Sequence, residues 1–208
     1  MQAYISLIAI TGALAAGTVS PGPSFILVAR NAISLSRRHG VATALGMGTG
    51  AFIFSVMALL GLQAVFNAVP IAFWLLKLVG GGYLVFIASR MLRSARKPLQ
   101  ALASSKTATT SLWQAYIFGL LTQLSNPKTA IVFAGVFSAL LPQHIPRYFY
   151  AVIPLAAFCV DTGWYSIVAF VLSSEKPRTT YLRFKTVVDS TAGCVMGLLG
   201  LKLILSSK

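Results

Sequence analysis

Side chains that could carry enzyme chemistry are scarce in this sequence. Its 208 residues include only two cysteines, two histidines and three acidic residues. Cys159 and Cys194 both lie in long apolar runs, where we interpret them as small buried hydrophobic residues rather than as a disulfide or a metal pair. No nucleophile has a histidine and an acid nearby, which argues against a hydrolase. We therefore expect neither an enzyme, nor a metal site, nor a cofactor.

Apolar residues are what the chain has in excess. Hydrophobic residues make up 57% of it, charged residues only 10%, and the mean hydropathy is +0.81. The apolar residues form six long blocks, at residues 4–28, 41–66, 71–89, 112–141, 148–172 and 186–205. A helix needs roughly 20 residues to cross a bilayer, whereas barrel strands are about 10 residues of alternating polarity. The sequence predicts an all-α integral membrane protein with six transmembrane helices in one membrane transport domain, residues 1–208.

The 17 basic residues are distributed unevenly around these blocks. Twelve of them follow the first, third and fifth blocks: Arg30, Arg37, Arg38, Arg90, Arg93, Arg96, Lys97, Lys106, Lys176, Arg178, Arg183 and Lys185. Loops rich in lysine and arginine stay in the cytoplasm. We therefore expect a protein of the bacterial inner (plasma) membrane with both termini on the outside. We attribute the net charge of +14 to topology and to lipid headgroups, and we expect no nucleic-acid partner.

A polar stretch at residues 93–111 divides the chain into two halves, residues 1–92 and 112–208. We interpret this stretch as a cytoplasmic linker. Each half begins with a helix that proline interrupts, at Ser20-Pro21-Gly22-Pro23 in the first helix and at Ser125-Asn126-Pro127-Lys128 in the fourth. Three crossings per half make the second half inverted relative to the first. The sequence thus predicts a 3+3 inverted repeat with broken first and fourth helices.

The two interruptions have similar local chemistry. Ser20 and Asn126 are favourable N-cap residues, and Pro21 and Pro127 suit the first position of a new helix. A helix that restarts inside the membrane directs unpaired N–H groups and the positive end of its dipole toward the interior, where a carboxylate could bind. The alternative is that these prolines only kink packed helices. Gly46, Gly48 and Gly50 are interpreted structurally, as a small-residue face for close packing.

Two ionisable residues lie near the middle of predicted helices. They are Lys128, directly after the second interruption, and Asp161 in the fifth helix. An unpaired charge at the bilayer centre costs at least about 2.5 to 3.5 kcal/mol, so we expect the two to face each other. A zwitterionic substrate could place its carboxylate near Lys128 and its ammonium near Asp161, which could also carry a coupling proton. The alternative is a permanent structural ion pair. Trp164 lies deep enough to border the same site.

The same segments resemble a known family. The similarity to the LysE/RhtB amino-acid exporters spans the whole chain. It is carried by Gly17-Thr-Val-Ser-Pro-Gly-Pro23 with residues 40–50, by residues 119–133 around Asn126-Pro127-Lys128, and by the tract around Asp161, Trp164 and Tyr165.

The resemblance implies a six-helix inner-membrane exporter that uses the proton gradient to expel amino acids or related small metabolites. The residues at the family's motif positions would be Pro21, Gly22, Pro23, Asn126, Pro127 and Lys128. Two other classes remain open, a passive channel or pore for small solutes and a non-transporting scaffold subunit. A channel would need no titratable coupling group, and a scaffold would need neither intramembrane charge. The small-residue faces also permit a homodimer.

Overall fold

The computed structural model describes residues 2–19, 22–68, 78, 81–82, 85–86, 88–89, 92–93, 111–142, 145–174, 186–187, 190–191, 193–198, 200–202 and 204–205. Regular structure within these residues is helical throughout, which confirms the predicted all-α class. Most of the third predicted crossing and of the 93–111 linker, and part of the sixth crossing, lie outside the described residues.

Six helices have defined limits among the described residues. They are α1 (Gln2–Val19), α2 (Pro23–Ser34), α3 (Arg37–Ala68), α4 (Leu112–Leu124), α5 (Pro127–Leu140) and α6 (Phe149–Leu172). The first and fourth predicted crossings are each divided in two, as α1 with α2 and α4 with α5. The second and fifth predicted crossings correspond to the continuous helices α3 and α6.

Two helical segments are long and apolar enough to cross a bilayer alone. They are Arg37–Gly61 within α3, and α6. Tyr4–Val19 and Pro23–Ser34 pass the same test only as a pair, which is bent by 59°. The described residues therefore contain two clear candidate spans, or three if the bent pair counts as one.

Helix α3 packs chiefly against α6 and α4, and glycine allows the closest of these contacts. A Cβ atom at Gly46 would overlap the carbonyl oxygen of Tyr116 in α4, and a Cβ atom at Gly119 in α4 would overlap that of Thr43 in α3. A Cβ atom at Gly48 would overlap the Thr162 hydroxyl in α6. The backbones of these helices approach each other directly, so the structural interpretation of the α3 glycines is correct.

Buried apolar side chains form two clusters, and α6 contributes to both. In the first apolar cluster it contributes Phe149, Ile153 and Ala157, which pack against α1 and α5. In the second apolar cluster it contributes Tyr165, Val168, Ala169 and Leu172, which pack against α2 and α3. Along α6, the stretch between the two sets contains Asp161.

Neither cysteine is buried. Cys159 and Cys194 are both exposed, on the outer surface of their helices, which corrects the interpretation of them as buried residues. A membrane protein can expose small apolar side chains in this way because its outer surface faces lipid instead of water.

Candidate functional site

The first helix interruption ends at the second proline of its motif. Helix α2 begins at Pro23, with Gly22 as its N-cap in extended backbone and without a side-chain cap. The predicted restart, with Ser20 as cap and Pro21 as first residue, is therefore wrong by two positions. A residue before proline is held out of the helical region, so Gly22 interrupts any helix that would begin at Pro21. Ser20 and Pro21 themselves lie outside the described residues.

The second interruption has the predicted form. Helix α5 begins at Pro127, and Asn126 is its N-cap. The Asn126 side-chain oxygen accepts a hydrogen bond of 3.0 Å from the Lys128 backbone N–H. One of the unpaired donors at the helix start is therefore satisfied by a side chain.

The two interruptions meet at a small cavity. Its polar lining consists of Thr18, Ser24, Gln123, Asn126, Lys128, Thr129, Asp161 and Tyr165. The rest of its lining consists of Leu14, Gly17, Gly22, Val132 and Phe133. A Cβ atom at Gly22 would lie 3.5 Å from Lys128 Cδ, so the first interruption packs against the first turn of α5.

The Asp161 carboxyl group is the most deeply buried ionisable group of this cavity. Asp161 is only 3% exposed. It lies midway along α6, about 18 Å from the helix start at 1.5 Å per residue. Thr18 Oγ1 lies 2.6 Å from Asp161 Oδ1, and Gln123 Nε2 donates to Asp161 Oδ2 at 2.5 Å. Side chains from α1 and α4 therefore satisfy both carboxyl oxygens.

Hydrogen bonds continue from Gln123 to both interruptions. The Ser24 hydroxyl donates to Gln123 Oε1 at 2.7 Å, and Asn126 Nδ2 donates to Ser24 Oγ at 3.0 Å. We call the five residues Thr18, Ser24, Gln123, Asn126 and Asp161 the Asp161 network. It joins α1, α2, α4, α6 and the N-cap of α5 through side chains that are mostly buried.

Lys128 and Asp161 line the same cavity. The Lys128 ammonium is near enough to act electrostatically on the Asp161 carboxyl group, so the structure brings the two predicted residues together. Among the described residues, no three histidine, cysteine or acidic side chains are grouped as a metal site would require.

The other predicted site residues occupy different positions. Pro23 is exposed, and Pro127 opens α5. The cavity lining does not include Trp164, which packs against the second apolar cluster and whose Nε1–H is buried without a partner among the described residues. A role for these residues, and for Pro21, stays a prediction.

Sequence reasoning missed four uncharged members of the site. Thr18, Ser24, Gln123 and Thr129 carry no charge, so none of them has the insertion cost that singled out Lys128 and Asp161. The available signal was position, because Gln123 precedes the second interruption by two residues while Thr18 and Ser24 flank the first.

The cavity is small in this conformation. About 20 Å³ is available to the centre of a water molecule, which is room for about one water. An amino acid needs several times that space. Binding of such a ligand therefore requires the helices around the cavity to move apart.

Comparisons with known proteins give relatives along nearly the whole chain. The chain is 33% identical over 193 residues to a threonine efflux protein of Salmonella typhi, covering 90% of this chain and 92% of that protein. It is 30% identical over 190 residues to a threonine efflux protein of Escherichia coli K12, with the same coverage. An uncharacterized membrane protein of Haemophilus influenzae is 30% identical over 192 residues, or 90% of each chain. No solved structure matches significantly.

The chain also matches the model of a known protein family. The model for LysE type translocators matches residues 15–207, which include both helix interruptions and every residue of the Asp161 network. This match and the two efflux relatives confirm the family resemblance found in the sequence. The chain therefore belongs to the LysE type translocator family.

Proposed function

We propose that this protein exports small amino acids, with threonine as the leading candidate, by exchange with protons across the bacterial inner membrane. Family membership and the names of the two efflux relatives support the substrate class. The observation that carries the mechanism is the Asp161 carboxyl group, buried midway along a membrane-spanning helix and surrounded by hydrogen-bond partners from other helices.

The surroundings of Asp161 suit a group that gains and loses a proton. Thr18 Oγ1 has one proton but two acceptors in reach, Asp161 Oδ1 at 2.6 Å and the Leu14 carbonyl oxygen at 2.9 Å. When Asp161 is ionised, the Thr18 proton goes to the carboxylate. When Asp161 is protonated, its own O–H donates to Thr18, whose proton then bonds to Leu14. Both protonation states are thus hydrogen-bonded without a change of packing.

The charges in the cavity match a zwitterion. In our proposal, the substrate ammonium binds the ionised Asp161 carboxylate and the substrate carboxylate binds the Lys128 ammonium at the start of α5. The positive end of the α5 dipole favours an anion at the same place. A proton on Asp161 removes the charge that holds the ammonium, so proton binding and substrate binding compete. Such competition is what an antiporter requires.

The two apolar clusters favour an alternating-access mechanism rather than an open pore. On α6, Asp161 has the first apolar cluster on one side and the second on the other. At Asp161 the cavity has room for about one water, whereas a channel needs a continuous wet path. We propose that each cluster closes one side of the site and that the two open in turn.

The membrane arrangement is part of the proposal. Six crossings in a 3+3 inverted repeat, with residues 93–111 as a cytoplasmic linker and both termini outside, are supported by the charge pattern and by the division of the first and fourth blocks. A homodimer stays a prediction, because the glycines of α3 pack against α4 and α6 of the same chain.

The test uses purified protein in proteoliposomes loaded with labelled threonine. An imposed pH gradient should accelerate threonine efflux from the wild type, and Asp161→Asn should abolish that acceleration because it cannot release a proton. Asp189→Asn is the matched control, since Asp189 lies near the start of the sixth apolar block, residues 186–205, and not in its middle. If neither the pH gradient nor Asp161→Asn changes the rate of efflux, the result would support the channel hypothesis. If neither threonine nor any other amino acid moves, the exporter proposal is wrong.

A further inference from the structure

The hydroxyl groups of the cavity differ in whether a partner already engages them. Thr18 bonds to Asp161 and Leu14, and Ser24 bonds to Gln123 and Asn126. The hydroxyl of Thr129 lines the same cavity, and no hydrogen bond to it occurs among the described residues. Thr129 therefore has a donor and an acceptor available for a ligand, whereas the hydroxyls of Thr18 and Ser24 are engaged in holding the network.

Thr129 shares one face of α5 with two apolar residues. Val132 and Phe133 follow it by three and four positions, which places all three side chains on the same side of the helix. All three line the cavity, and Val132 and Phe133 are 5% and 4% exposed. The face thus presents one hydroxyl next to two buried hydrocarbon groups.

The side chains on this face of α5 cannot move closer to α1. A Cβ atom at Gly17 would lie 2.9 Å from Val132 Cγ1 and 3.1 Å from Met196 Cε, closer than packed atoms normally approach. Even hydrogen at Gly17 leaves Val132 with little free space behind it. Val132 is therefore held in place at the edge of the cavity, where little room is left for a long substrate side chain.

We infer that Thr129, Val132 and Phe133 form the substrate side-chain site, and that the Thr129 hydroxyl selects small amino acids with a hydroxyl on Cβ. This inference rests on the proposed exporter function, in which Asp161 and Lys128 bind the ammonium and the carboxylate. The α5 face begins directly after Lys128 in the sequence and lines the same cavity. A threonine side chain has one hydroxyl and one methyl on Cβ, which match the Thr129 hydroxyl and the Val132 hydrocarbon.

The test measures selectivity instead of total activity. Labelled threonine or labelled valine, which replaces the hydroxyl with a methyl of similar size, is exchanged in proteoliposomes containing each variant. Wild type should exchange threonine faster than valine. Thr129→Val should lower the threonine-to-valine ratio about three- to tenfold, the value of roughly one hydrogen bond, and Thr129→Ser should keep it. Thr11→Val is the matched control, because the Thr11 hydroxyl bonds only to the Leu7 carbonyl outside the cavity.

Two results would overturn the inference while the exporter proposal stands. One is that Thr129→Val changes neither the threonine rate nor the valine rate. The other is an equal loss for threonine and valine, which would mean that Thr129 binds a group common to all amino acids. Wild type that exchanges no amino acid would instead overturn the exporter proposal, and this inference with it.

Discussion

The two helix interruptions contain similar residues but are held in different ways. At the first, Gly22 caps α2 without a side-chain hydrogen bond, and α1 and α2 meet at a 59° bend. At the second, the Asn126 side chain caps α5 and also bonds to Ser24 in α2. We infer that the second interruption is a fixed support and that Gly22, at the start of α2, is a hinge. Ser24 is the point at which the hinge is attached to the support.

The largest expected effect comes from disturbing the packing of α4, the helix that precedes the second interruption. Gly119→Ala should destabilise the fold by about 3 kcal/mol or more. The alanine methyl group would overlap the Thr43 carbonyl oxygen, and both helix backbones would have to move to relieve the overlap. Thermal unfolding in detergent measures the change. Gly12→Ala is the matched control, since a Cβ atom at Gly12 meets nothing within 4 Å and alanine favours helix. Equal stability of the two variants would contradict direct backbone contact between α3 and α4.

The next largest loss of stability should come from removing the hydrogen bonds of Ser24 that attach the hinge to the support. Ser24→Ala leaves the Gln123 oxygen and an Asn126 N–H buried without their partner, at a cost of about 2 to 4 kcal/mol. Thermal unfolding should show the loss, and transport should fall because Gln123 no longer holds Asp161. Ser138→Ala provides the comparison, because the buried Ser138 hydroxyl bonds only to the Ala134 carbonyl within its own helix. If Ser138→Ala is as damaging as Ser24→Ala, the attachment is unimportant.

A smaller effect comes from removing the side-chain cap of the support. Asn126→Ala should cost about 1 to 2 kcal/mol, because the Lys128 N–H loses its acceptor and Ser24 loses a donor. Asn126→Ser can restore the cap but is too short to replace both bonds, so its stability should lie between those of alanine and wild type. Chemical unfolding of the three proteins tests that order. Identical stability for alanine and wild type would mean that the cap contributes nothing.

The smallest stability effect comes from giving the hinge the cap that it lacks. Gly22 has an extended φ of −156° that any residue can adopt, and a Cβ atom there would make only ordinary contacts with Lys128. Gly22→Ser should therefore stabilise α2 by a few tenths of a kcal/mol while slowing transport, because a capped hinge bends less readily. Exchange rates at saturating substrate measure the slowing. A variant that transports as fast as wild type would argue against a hinge at Gly22.

Sequence reasoning located both interruptions because proline acts locally. It identified Asn126 and Pro127 correctly, since an asparagine followed by proline is a helix start in most surroundings. It misplaced the first restart because two prolines offered two starts, and the constraint that Pro23 places on Gly22 was not applied. It identified Lys128 and Asp161 by their charge, but Gln123 and Thr129 differ little from other polar residues in apolar helices until their neighbours are known.

Hydropathy, proline geometry and charge burial act over one or two helical turns. They could therefore be read without the fold, and they predicted a helical membrane protein, its two interruptions and its deep charges. Which polar groups meet became known from the packed helices. The Ser24–Gln123 bond joins residues 99 positions apart, and the Thr18–Asp161 bond spans 143 positions. Such pairings depend on which helix faces pack together, and the glycines of α3 let it lie directly against α4 and α6, which carry Gln123 and Asp161.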